Sequence, residues 1–202
     1  AGQIEGRGHD EDQLAFLRDE RDYRNPTLCE LPNAEPARRG PGDFAFTVLR
    51  NLFMASWFEL LWQRLQASSD AELAAIAGKA VKEARYHRRH AAGWLLRLGD
   101  GSDESRRRLL AALPRCWAQV PELFAEGDVD AAAQASGLGP SWAELRAPWR
   151  ADMAALFGEA GLALPAEGAV IGGGRRGLHS EHMGHLLAEM QSLQRAYPGG
   201  AW

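Results

Sequence analysis

At 202 residues the chain can bury a sizeable core as one domain or two small ones. Its 23 basic and 27 acidic residues leave a net charge of −4, which argues against a nucleic-acid binder. Two cysteines, Cys29 and Cys116, are too few for a disulfide scaffold and lack metal-ligand spacing, so a reduced, cytoplasmic setting is expected.

The chain opens on Ala1-Gly2-Gln3-Ile4-Glu5-Gly6, with no start methionine and no secretory signal, and reads as N-terminally truncated. A short helical pattern spans Asp12 to Arg21. Asn25-Pro26 and Leu31-Pro32-Asn33 then break it, and residues 33 to 43 form a loop rich in proline and arginine. The next helix is capped by Asp43 and runs from Phe44 to Leu65. It is the most apolar segment, but Arg50, Asn51, Glu59 and Arg64 interrupt it, so no membrane span is expected. Two stripes mark it: Phe44, Val48, Leu52, Ala55, Phe58, Trp62 and Leu65, and Phe46, Leu49, Phe53, Trp57 and Leu60. A helix apolar on two faces needs cover on two sides, so Leu52, Trp57 and Leu60 are predicted to face a partner chain or a further helix.

A long helix follows from about Asp70 to Leu98 and stops at Gly99. The next begins near Ser102 or Asp103 and carries Leu109, Leu113 and Trp117, with Pro114 and Pro121 expected to kink or split it. Asp128 to Ala135 adds one or two turns. Ser141-Trp142-Ala143-Glu144 then reads as a capping box opening a helix with Leu145, Trp149, Met153 and Leu156 on one face. A glycine-rich stretch, 168 to 177, leads to a last helix from about His179 to Arg195. No strand pattern and no repeat stands out, so the expectation is an all-α chain forming one domain, 1–202.

The long helix carries the most distinctive chemistry. Its seam, read as Leu73, Ala77, Ala80, Ala84, His87, Ala91, Trp94 and Leu98, steps alternately by four and three. That frame buries His87, with Glu83 one turn away, as an iron-type carboxylate site or its relic; the competing reading is a buried histidine satisfied by hydrogen bonds. A di-iron bundle needs Glu-x-x-His pairs, and none occurs: Glu83/His87 and Glu181/His185 are one residue too long. Lys79 is placed where its ammonium would replace metal charge by a salt bridge to Glu83, giving a buried polar network of Lys79, Glu83 and His87; a solvated surface pair is the alternative. His179, His182 and His185 resemble metal ligands by type but drift round the helix. Gly172-Gly173-Gly174-Arg175-Arg176-Gly177 fits G-x-G-x-x-G without a strand before it, which excludes a dinucleotide fold; Arg175 and Arg176 remain candidates for contacting an anion, against a plain connector.

Four runs resemble one family. They are Asp12-Gln13-Leu14-Ala15-Phe16-Leu17-Arg18-Asp19-Glu20-Arg21, Lys79-Ala80-Val81-Lys82-Glu83-Ala84-Arg85-Tyr86-His87, Gly177-Leu178-His179-Ser180-Glu181-His182-Met183-Gly184, and Leu187-Ala188-Glu189-Met190-Gln191-Ser192-Leu193-Gln194-Arg195. They are similar to the C subunits of phenylacetyl-CoA epoxidase, the PaaC family. The resemblance implies a ferritin-like helical bundle and a structural, non-catalytic subunit of the epoxidase of aerobic phenylacetate catabolism. It implies a homologous catalytic A subunit that holds di-iron, a reductase component, and phenylacetyl-CoA as substrate of the complex. This chain itself is expected to hold no metal or other cofactor, with Glu83, His87, Glu181 and His182 as relic positions. The first long bundle helix of the family, about 45 to 50 residues with its leader, is expected to be absent from this sequence. The alternative is an independent di-metal carboxylate oxygenase or oxidase of the ferritin-like class.

Overall fold

The structure, a computed structural model, describes Gly8 and residues 11–33 and 42–200. Most of the loop expected at 33 to 43 lies outside these residues. Helices are α1 (Glu11–Ala15), α2 (Phe44–Leu65), α3 (Ala71–Gly99), α4 (Asp103–Trp117), α5 (Asp128–Ala135), α6 (Ala143–Glu159), α7 (Glu181–Met190) and α8 (Ser192–Ala196), with short 3₁₀ turns between some of them. No strand forms among the described residues, and a lone bridge pairs Gly173 with Leu178. The all-α expectation stands. Where the sequence suggests one domain, contacts gather into two compact units: Ala1–Pro32 with Gly172–Trp202, and Asn33–Ile171.

In the Asn33–Ile171 unit, side-chain caps set the helix starts. Asp43 accepts from the Phe46 amide at 3.0 Å and Asp70 from the Leu73 amide at 2.8 Å. Each satisfies a donor that the helix leaves orphaned. α2 packs on α3, α4 and α6, and α3 also touches α4 and α6. The core centres on Phe53, whose ring lies 5.7 Å from Trp117, 5.6 Å from Trp149 and 6.2 Å from Phe157. The Trp149 indole donates to the Phe53 carbonyl at 3.1 Å, so burying the ring leaves its polar edge satisfied. α2 is long and apolar enough to cross a membrane by length and composition, but most of its apolar window is buried inside the protein.

Two details depart from local sequence logic. Pro114 sits inside α4 without ending it. The expected capping box at Ser141 does not form. Instead Glu126 Oε1 accepts from the Ser141 hydroxyl at 2.7 Å and from the Trp142 and Ala143 amides at 2.6 and 3.3 Å. A carboxylate from fifteen residues upstream takes the capping place of the neutral Ser141 hydroxyl, because its charge meets two amides and that hydroxyl at once. At the far end, Gly99 is required: a Cβ there would meet the Ala160 carbonyl at 2.8 Å. Beside it Arg106 donates to the carbonyls of Gly99 at 3.1 Å and Gly161 at 2.7 Å, capping the C-termini of α3 and α6 with one guanidinium.

The other unit brings together residues far apart in sequence. α7 packs on α8 and on the turn Glu20–Asp22. The Gln191 amide donates to the Arg18 carbonyl at 2.7 Å, at the break that divides the expected last helix into α7 and α8.

Candidate functional site

Glu83 and His87 do pair, at 3.6 Å, but their side chains are 78% and 57% exposed. Lys79 is exposed as well. The buried network expected of these three is therefore corrected: they form a solvated surface pair with a neighbouring lysine. The expected seam holds at Ala77, Ala84 and Ala91 but is one residue off between them, at Ala80, His87 and Trp94. The residues α3 buries are Ala77, Val81, Ala84, Ala91, Ala92, Leu95 and Gly99, and the seam position between Ala84 and Ala91 belongs to Arg88.

Arg88 is the residue that sequence reasoning missed. Its guanidinium donates through Nε to Asp152 Oδ2 on α6 at 2.8 Å, and through a second nitrogen to Oδ1. Its Nε also lies 3.8 Å from Glu59 Oε2 on α2, while Arg85 Nε donates to Glu59 Oε1 at 3.0 Å. Glu59 is mostly buried. The hydrogen bond to Asp152 raises Arg88 above the usual guanidinium value, against an opposing effect of burial. Carboxylates from two helices thus meet a cation supplied by a third. A partial signal was available: moving the alternate seam positions on by one residue puts Arg88 between Ala84 and Ala91 on the buried face.

This donor set does not fit a carboxylate-bridged di-iron centre. Glu59 and Asp152 are both engaged by arginine, and the Glu83/His87 pair points to water. Among the described residues no three His, Cys, Asp or Glu side chains gather as metal ligands. Of the other relic positions, Glu181 is exposed and lies 3.8 Å from His182 Nε2.

Between α2 and α3 runs a groove of about 490 Å³. Asn51, Ala55, Phe58 and Trp62 line it from α2; Ala80, Ala84 and Ala91 line it from α3, with Glu83, His87 and His90 as its polar edge. The outward placement expected of Leu52, Trp57 and Leu60 is corrected for the first two and only partly met by the third. Leu52 and Trp57 are buried within the chain, Trp57 against Trp142 at 4.7 Å, and Leu60 is half-buried. On the stripe that holds Leu52, Val48 and Ala55 are buried too, while Phe44 and Phe58 are exposed.

His179 is no surface ligand. Its ring lies wholly buried, with Nδ1 2.6 Å from Glu30 Oε1 and Nε2 3.2 Å from the Tyr23 carbonyl. Glu30 also accepts from Asn25 Nδ2 at 2.8 Å and the Ser180 amide at 2.7 Å. The glycine-rich stretch serves this contact. Gly174 opens a 3₁₀ turn where a Cβ would strike the Asn25 carbonyl and meet Glu30 Oε1 at 2.9 Å. Arg175 is half-buried and engaged in an interaction; Arg176 is exposed.

Comparison with known proteins covers the whole chain. Residues 1–202 match the family described as phenylacetic acid catabolic protein. The chain is 45% identical over 202 residues to the C subunit of the 1,2-phenylacetyl-CoA epoxidase of Escherichia coli (strain K12), covering 100% of this chain and 78% of that protein.

Proposed function

This chain belongs to the phenylacetic acid catabolic protein family, and on that premise we propose that it is the structural, non-catalytic subunit of a multicomponent phenylacetyl-CoA 1,2-epoxidase of aerobic phenylacetate catabolism. Its partners are a homologous A subunit that holds the di-iron centre and a reductase component, and the complex works in the cytoplasm. The observation that carries this reading is the convergence of Glu59 and Asp152 on Arg88. A guanidinium there supplies, as a fixed part of the chain, the positive charge that a catalytic relative would take from metal ions. Two iron ions need several anionic ligands to offset their charge, and here Glu59 and Asp152 are already paired with arginine.

In this role the polar knot holds α2, α3 and α6 in register, so that the subunit keeps the bundle shape that matches its catalytic homologue. Arg175 and Arg176 are proposed to meet anionic groups, either acidic side chains of the A subunit or the phosphates of the CoA ester. Replacing both by alanine then weakens assembly or raises the KM for the ester.

The decisive experiment joins co-purification with metal analysis. The chain purified aerobically with added ferrous iron is expected to hold none, and to co-purify stoichiometrically with a tagged A subunit that does. About two irons per chain, lost in Glu59→Ala or Glu83→Ala, would overturn the reading, and so would failure to bind the A subunit.

A further inference from the structure

In a chain whose net charge is −4, α3 runs the other way: its 29 residues carry six lysines and arginines against two glutamates, Glu72 and Glu83. Arg85 and Arg88 are engaged by Glu59 and Asp152, and Arg97 lies over the Trp94 ring at 5.2 Å. Lys79, Lys82 and Arg89 stand apart. All three are exposed, and among the described residues none of them has a hydrogen bond or an ion pair. By contrast, Arg107, Arg108, Arg146 and Arg150 on neighbouring helices each meet a carboxylate. The three free cations share one stripe. With Tyr86 they occupy 79, 82, 86 and 89, steps of three, four and three that keep side chains on one helix face over about 15 Å. Tyr86, 59% exposed, sits among the charges with its ring stacked on His90 at 6.3 Å. Glu83 flanks the stripe, but its carboxylate is turned to His87 at 3.6 Å.

Charge selects the kind of partner. The chain as a whole repels anions, so only negative charge confined to the neighbourhood of the stripe is attracted, within a Debye length of about 8 Å at physiological salt. That disfavours a bilayer, whose recognition takes about four to eight basic residues, and an extended phosphate polymer. Phosphate also has no use for a central phenol, whereas protein interfaces are enriched in tyrosine and arginine and keep lysine for the rim. We propose that this face of α3 is an electrostatically steered docking surface for a soluble protein that presents a compact acidic patch. Lys79 and Lys82, strongly hydrated, steer the approach; Tyr86 and Arg89 make the contact. A stripe this short, with no large aliphatic side chain in it, suits an encounter that forms and dissolves rather than a permanent junction.

Lys79 and Lys82 are the only lysines in the chain, so amine acetylation reads this face with no substitution. Their reaction with sulfo-N-hydroxysuccinimide acetate is timed by peptide mass spectrometry, with Nα-acetyl-lysine in the same tube as the reagent standard. The probe is hexaglutamate. Both lysines are expected to react at least fivefold more slowly with the probe at about 0.01 M salt, and at the unprotected rate at about 1 M, where charges reach only about 3 Å. Affinity for fluorescein-labelled hexaglutamate, followed by anisotropy, is expected to fall at least fivefold in Lys79→Gln/Lys82→Gln and at least threefold in Arg89→Gln. It should change less than twofold in the charge-matched Arg21→Gln. Unprotected lysines in low salt overturn the proposal, and so does an equal loss in Arg21→Gln, which reports diffuse charge. Stronger protection by inorganic polyphosphate or phosphatidylserine vesicles at equal charge assigns the face to a phosphate polymer or a membrane, and overturns it too. So does protection by the A subunit that survives about 1 M salt, which makes the face a permanent subunit contact. Iron content and co-purification test the subunit reading separately, and neither depends on whether an acidic protein docks on α3.

Discussion

Two glutamate–histidine pairs in this chain make opposite use of the same chemistry. Glu30 and His179 meet at 2.6 Å with side chains 1% and 0% exposed, and two further donors complete the carboxylate. Glu83 and His87 lie 3.6 Å apart, each more than half exposed. The first pair comes from segments 149 residues apart, the second from adjacent turns of α3. An i, i+4 pair is free to form wherever a helix forms and is worth little in water. A long-range pair exists only because the fold closes round it, and in closing it removes the water that would otherwise replace each partner.

That contrast is open to measurement. Glu30→Ala is expected to have the largest effect, about 3–5 kcal/mol, because it leaves a buried imidazole, an amide and an asparagine without their acceptor. Hydrogen exchange of the amides around Gly174 and Ser180 should report it directly; unchanged protection would show that the pair is ornamental. Arg88→Ala should cost about 1–3 kcal/mol by denaturant titration, less than a fully buried pair because Arg88 and Asp152 keep partial contact with solvent. Arg88→Lys should recover only part, since an ammonium cannot span both oxygens of Asp152. Glu83→Ala should shift stability by less than about 0.5 kcal/mol; a larger loss would mean that the pair is more enclosed than its exposure indicates.

The smallest effect tests electrostatics at the surface. Hydrogen bonds from Arg107 and then Arg108 lower Glu104 from 4.5 to about 2. Its contribution is therefore fully present above 4.5 and lost as pH falls through about 2. The stability difference between the native chain and Glu104→Gln should be constant above that window, fall away as pH drops through it, and shrink in high salt.

What could be read from the chain divides along the same line. Local signals are legible: Asp43 and Asp70 as caps and Gly99 as a stop mark α2 and α3 because each acts on the backbone within one turn. The seam of α3 is legible as a period but not in phase. Alanines at 77, 84 and 91 belong to both frames, and only packing decides that Val81 and Arg88 rather than Ala80 and His87 turn inward. The Glu126 cap on α6 and the Glu30–His179 pair leave no trace at all, because nothing near either glutamate in sequence names its partner.

The separation of Glu30 from His179 also sets an order of events as the chain is made. Glu30 leaves the ribosome 149 residues before the histidine that it will hold. At about 5–20 residues per second, that interval is on the order of 7–30 s. The Asn33–Ile171 segment, with the Phe53 cluster, is made within that interval, whereas the unit built from both ends of the chain must wait for its second half. The emergence of His179, not the packing of the aromatic core, is then the moment from which that unit can close.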